Sequence, residues 1–192
     1  MTTTTSNAVP RLTRQLSPAL CAVAAALTAI GIATGLISFL TRSPIREVHQ
    51  PGTSAWPQHL AVAAAACALY GLARWRRSRQ PDLGGSRLLL LAPLGRSAAS
   101  RLATALRSAQ CRSSQRRSAQ LRLAAAVLPL ALIGYSFWRI GDQVIGGLDP
   151  NFTANAWGGP TYLGAMACHY LDATVIIAAC AVLLDKILPA AA

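Results

Sequence analysis

The chain has 192 residues, 53% of them apolar and only 12% charged, yet 18 Lys and Arg stand against 6 Asp and Glu, a formal net charge of +12. A disordered basic tail would be poor in apolar residues, and a water-soluble domain this apolar would not normally carry so few charges of so lopsided a sign. The positive mean hydropathy also argues against a nucleic-acid-binding module, which leaves an integral membrane protein whose apolar and basic residues occupy different segments.

In chain order, the sequence predicts an all-α, polytopic protein with four transmembrane helices as two hairpins and both termini inside (N-in/C-in). After an inner tail, residues 1–17, the first span covers residues 18–40 without a charge. A hydrocarbon core of roughly 30 Å takes about 20 helical residues. Arg11 and Arg14 ahead of this span resemble the basic start of a signal peptide, but its uninterrupted apolar run is longer than a typical signal core. Gly31 and Gly35 form a Gly-x-x-x-Gly pair, and the second span is rich in Ala, so close helix packing is expected within the bundle or against another subunit.

An outer loop, residues 41–57, leads to a second span, residues 58–75. Its apolar core is short, from Leu60 to Ala73, but Trp56 and Trp75 bracket it at a spacing that suits an aromatic at each interface. Residues 76–121 form a basic inner loop. Residues 122–141 make a third span containing Pro129, residues 142–160 a second outer loop, residues 161–184 a fourth span, and residues 185–192 an inner tail. The orientation follows from the arginines. Twelve of the eighteen basic residues lie between Arg74 and Arg122, and inner loops retain an excess of Lys and Arg.

Within the inner loop, Ala98, Leu102, Ala105, Leu106 and Ala109 recur at helical spacing among Arg96, Arg101, Arg107 and Arg112. This pattern predicts an amphipathic helix whose arginines meet anionic lipid headgroups or an acidic partner; the plainer alternative is that they only enforce topology. No nucleic-acid partner is expected, because residues 76–120 contain no aromatic to stack on a base.

Asp172 lies ten residues into the fourth span, about 15 Å along the helix from Tyr162, with His169 three residues earlier on the same face. An ionisable residue there should face the bundle with a partner, and His169 and Arg139 are the candidates. Together they predict either a proton or cation site or a polar contact between helices. His49, His59 and His169 all fall in the outer half, where they could bind zinc or copper, or a haem between His59 and His169, although no spacing is diagnostic. No Cys falls in an outer loop and no Cys-x-x-Cys pair exists, so no disulfide framework is expected. In the second outer loop, Asp149-Pro150-Asn151 favours a turn and Trp157-Gly158-Gly159-Pro160 a bend that folds back over the outer mouth.

Phosphate-binding, metalloprotease and serine-hydrolase motifs are absent, which points away from an enzyme. The leading expectation is a non-enzymatic accessory or assembly subunit that packs against other membrane subunits or itself. The second is a small transporter or channel component using the Asp/His pair. The heavy use of Ala and Arg suggests a bacterial cytoplasmic membrane, with an organelle membrane as the alternative.

Overall fold

The computed structural model describes residues 16–79, 89–110 and 116–188. It is all-helical, with no strand among the described residues and one isolated bridge between Leu16 and Gly95. The helices are α1 (Pro18–Leu40), α2 (Trp56–Ser78), α3 (Arg96–Gln110), α4 (Arg116–Gly146), the short α5 (Pro150–Ala154) and α6 (Tyr162–Ile187), with a 3-10 turn at Leu89–Leu94 before α3. Local chemistry sets several of the starts. Ser17, Asp149 and Thr161 each accept a backbone N–H from the first turn of α1, α5 and α6, and Pro18 and Pro150 occupy positions where a missing N–H is harmless.

Among the described residues, three helices are long and apolar enough to cross a membrane: α1, α4 and α6. α2 matches α1 in length, but Gln58 and His59 at one end and Arg74, Arg76 and Arg77 at the other confine its apolar run to residues 60–73. α4 extends past both expected limits of the third span. It runs through Pro129 as one continuous helix, with that proline buried.

The tightest contact in the fold joins α1 to α4. A Cβ at Gly31 would overlap the backbone oxygen of Trp138, one at Gly35 the oxygen of Asp142, and one at Gly141 the oxygen of Thr28. Glycine is required here because the two backbones touch. Thr28 faces Gly141, Gly31 faces Asp142 and Gly35 faces Gly146, so the two helices run parallel. α1 therefore packs on α4, because the glycine faces of the two helices match in register.

α6 lies antiparallel to α4. Tyr162 at its start donates through its hydroxyl to the Val144 oxygen at 3.2 Å, while Leu184, Ile187 and Leu188 at its end pack near Leu123 and Ala126. α2 touches α6 near its own first turns, where Trp56 lies against Gly164. Beyond that point its large side chains Leu60, Val62, Leu69, Tyr70 and Leu72 are exposed.

Each end of the bundle carries a layer of its own, labelled inner where α3 lies and outer where α5 lies, after the orientation that the arginines predict. At the inner end, Leu102 and Ala105 of α3 pack on Ala126 and Leu188, so this part of the amphipathic helix's apolar face meets the bundle, while Leu106 stays exposed. The Ser17 N–H donates to the Leu94 oxygen at 2.8 Å, tying the 3-10 turn to the start of α1. At the outer end, residues 43–50 lie along α5. The Asn151 amide donates to the Ile45 oxygen at 2.8 Å and its oxygen accepts the Glu47 N–H at 2.9 Å. One turn later, the Asn155 oxygen accepts the Gln50 N–H at 2.8 Å.

Candidate functional site

Beneath the outer layer, polar and ionisable side chains from α2, α4 and α6 come together between apolar helices. The closest pair is His59 of α2 and Asp172 of α6, with Nε2 and Oδ2 3.3 Å apart. His59 is buried, and Asp172 keeps a side-chain exposure of 31%. Asp172 thus lies level with the first turn of α2, closer to the outer end than a position midway down the bundle.

Three local features hold His59 in place. Its Nδ1 lies 2.9 Å from the Ala55 oxygen, and its backbone N–H donates to the same oxygen at 3.3 Å. Ala55 adopts a φ of +49°, a left-handed conformation uncommon for a residue with a Cβ. The Trp157 ring covers the imidazole, with centroids 5.4 Å apart. Trp157 is positioned by Gly158, whose φ of +81° a side chain would strain and whose N–H donates to the Ser54 oxygen at 2.6 Å. The bend expected at residues 157–160 is therefore present and closes over the site.

A carbonyl oxygen only accepts, so Nδ1 of His59 is placed to donate to Ala55, which turns Nε2 toward the Asp172 carboxyl at a distance where one proton between them makes a hydrogen bond.

The other expected residues lie nearby in different roles. His169 is close enough to Arg139, Asp172 and His59 to interact with their charges, and it packs edge-on to Phe152 with centroids 6.3 Å apart. Neither His169 nor Arg139 is hydrogen bonded to Asp172. Arg139 turns instead to Gln143, one turn along α4. With the Gln143 amide oriented so that its oxygen faces the guanidinium, that oxygen accepts from Nε at 3.1 Å and Nη2 at 3.2 Å. Gln143 is only 1% exposed. Asp142, beside Gln143 in the chain, accepts through Oδ1 from the Thr34 hydroxyl on α1 at 3.2 Å.

His49 is held apart from this cluster, its Nδ1 2.6 Å from the Ala154 oxygen in the outer layer. Among the described residues, no group of three or more His, Cys, Asp or Glu is arranged to hold a metal ion, so His49, His59 and His169 do not converge on one. Both ring nitrogens of His59 have protein partners, Nδ1 the Ala55 oxygen and Nε2 the Asp172 carboxyl. Cys21, Cys67, Cys168 and Cys180 are free thiols.

The arginines of the inner layer also differ in role. Arg96 donates to the Leu16 oxygen at 3.2 Å, and Arg101 bonds the end of α6. Arg107 is exposed and donates to the Ala103 oxygen of its own helix at 3.3 Å. Arg112 lies outside the described residues.

Sequence reasoning missed two members of the site, His59 as the partner of Asp172 and Gln143 as the partner of Arg139. Each carried a signal: both are polar residues within a turn or two of the outer end of a long helix. No protein-family model, curated protein or solved structure matches the chain.

Proposed function

We propose that the protein is a four-span membrane protein of the bacterial cytoplasmic membrane, working as a small transporter or channel component. Its functional centre on this reading is the His59–Asp172 pair, which binds an exchangeable proton or exchanges it for a cation. The observation that carries the reading is a pairing: two titratable groups, on helices otherwise barely in contact, lie 3.3 Å apart under a tryptophan ring. Intramembrane ionisable residues that pair across helices typically mark proton or ion paths.

A parity consideration supports four spans. α1 and α4 run parallel, so both start on one side of the membrane. The end of α1 lies at the outer layer, whereas the 3-10 turn and α3 lie at the inner one. The chain between them must therefore return across the bilayer, and α2 is the helix available to do it. Trp56 and Trp75 at its two ends suit the two interfaces. The arginines after Trp75 put that end inside, in agreement with N-in/C-in.

One observation favours the accessory-subunit alternative, namely the exposed apolar surface of α2. Against it, the Gly31–Gly35 face that a partner helix would seek is filled by α4 of the same chain. Flux in proteoliposomes distinguishes the two. Under an imposed potential, the wild type should carry protons or a monovalent cation, and Asp172→Asn should abolish the flux while remaining folded and monodisperse. Equal flux in the wild type, Asp172→Asn and His59→Gln would reject the transport reading.

A further inference from the structure

His59 is only 7% exposed, yet the helix that carries it gives it no shelter. Its chain neighbours in the first turns of α2, Trp56, Pro57, Gln58 and Leu60, are all exposed. The cover comes from other segments. Asp172 of α6 meets Nε2, and the Trp157 ring lies over the imidazole, tilted 53° to it with centroids 5.4 Å apart. Trp157 is itself 53% exposed, so its indole is a single layer between the imidazole and the surface of the outer layer.

The backbone beneath that indole is fixed. Gly158 is buried, with its N–H on the Ser54 oxygen at 2.6 Å, and a Cβ there would overlap the Gly164 oxygen and crowd Sγ of Cys168. A Cβ on Gly159 would likewise overlap the Thr153 oxygen. The side chain is held differently. Among the described residues no hydrogen bond ties the indole, and its ring contact is with His59. The ring can therefore turn about its own side-chain torsions without breaking a hydrogen bond or moving the loop, the kind of rotamer change that an exposed side chain makes within nanoseconds.

We propose that Trp157 is a gate over the His59–Asp172 pair. With the indole on His59, the pair is closed toward the outer layer; rotation of the indole alone, over a fixed backbone, opens it to a proton or cation arriving from that side. As a control on transport, the gate rests on the reading of the pair given above. As a seal, it is a property of His59 that can be measured whether or not the protein carries an ion. The other histidines serve as references: His49 is exposed in the outer layer, and His169 packs on Phe152 instead of Trp157.

The test is the rate at which diethyl pyrocarbonate labels each histidine of the full chain in nanodiscs, read peptide by peptide by mass spectrometry. Labelling is done at about pH 8, above the ordinary imidazole pKa. In the wild type, His59 should react about tenfold or more slowly than His49, as expected for a protected group. Trp157→Ala should raise the His59 rate about tenfold while leaving His169 within about twofold. Trp157→Phe, which keeps a ring over the imidazole, should stay near the wild type. Trp157→Leu keeps apolar bulk without the ring and should fall between, which gives the same comparison if Trp157→Ala does not fold. Wild-type His59 that reacts as fast as His49, or a His59 rate indifferent to residue 157, overturns the proposal. An equal rise at His59 and His169 also overturns it, because the whole outer layer has then loosened. The two readings fail separately: ion flux with an unprotected His59 removes the gate alone, and a sealed His59 in a protein without flux removes the transport reading together with the gate's part in it.

Discussion

Arg101 reaches Asp185 twice, donating from Nη1 to its backbone oxygen at 2.9 Å and to its carboxylate at 3.2 Å. The same nitrogen lies 3.5 Å from the Leu188 oxygen. These contacts close the end of α6, where the last carbonyls have no partner within the helix. Asp185 is 58% exposed, so the ion pair itself contributes little, and the bonds to the backbone carry most of the effect. Arg101→Ala should destabilise the inner layer by about 1–2 kcal/mol and raise hydrogen exchange in α3 and the last turn of α6. Unchanged exchange at both places would show that α3 is held by Leu102 and Ala105 alone.

The α1–α4 contact makes a graded prediction. Ala at Gly31, Gly35 or Gly141 would drive a methyl group into backbone oxygen, which cannot move aside like a flexible side chain. Each substitution should destabilise the protein by about 1–3 kcal/mol or more. Gly134→Ala meets only Leu27 Cδ1 at 3.5 Å and Gly71→Ala meets nothing within 4 Å, so both should stay within about 0.5 kcal/mol of the parent. Thermal denaturation in one detergent ranks all five, and a flat ranking would contradict the parallel packing.

A double-mutant cycle tests the His59–Asp172 pair. His59→Ala leaves the Asp172 carboxyl without its partner and should be destabilising by about 2–3 kcal/mol. Asp172→Asn should be milder, because an amide can still donate to Nε2. The coupling energy between the two positions should be at least about 0.5 kcal/mol, as found for contacting polar residues. Strict additivity in unfolding experiments would mean that the 3.3 Å approach contributes nothing.

The outer layer predicts selective local release. Asn151→Ala removes the acceptor for the Glu47 N–H and the donor to the Ile45 oxygen, and Asn155→Ala removes the acceptor for the Gln50 N–H. Exchange at Glu47 should rise about tenfold in the first variant and exchange at Gln50 in the second, each with little effect on α1 or α4. A uniform rise along the chain in either variant would indicate global destabilisation and contradict a locally clamped segment.

Hydropathy revealed α1, α4 and α6 because a long apolar helical run with so few charges has few other places to go, and Asp172 stood out for the same reason. The neighbours of those helices were less legible. Gly31 and Gly35 announced a close approach but carried no address, and the matching glycines, Gly141 and Gly146, are five residues apart and form no familiar spacing. Asp172 had two candidate partners by position along the chain. The actual one, His59, depends on α2 leaning against α6 at its outer end, a tertiary fact that periodicity does not contain. The helical spacing of Ala98, Leu102 and Ala105 gave α3 its apolar face. Whether that face meets lipid or the bundle is decided by Leu188 and Ala126, more than a dozen residues away in the chain.

The parallel contact between α1 and α4 also has a timetable. Thr28 and Phe137, which meet across it at 3.4 Å, are 109 residues apart in the chain. A ribosome adds about 5–20 residues per second, so α1 waits on the order of 5–20 s in the bilayer before its partner exists. Throughout that interval its bare glycine stripe faces lipid or whatever inserts the chain, while α2 has already been made and left unused as a partner. Biogenesis of this small protein is therefore governed by the last helix of a contact to be synthesised: truncation before Arg116 should leave α1 inserted but undocked and open to capture by another helix.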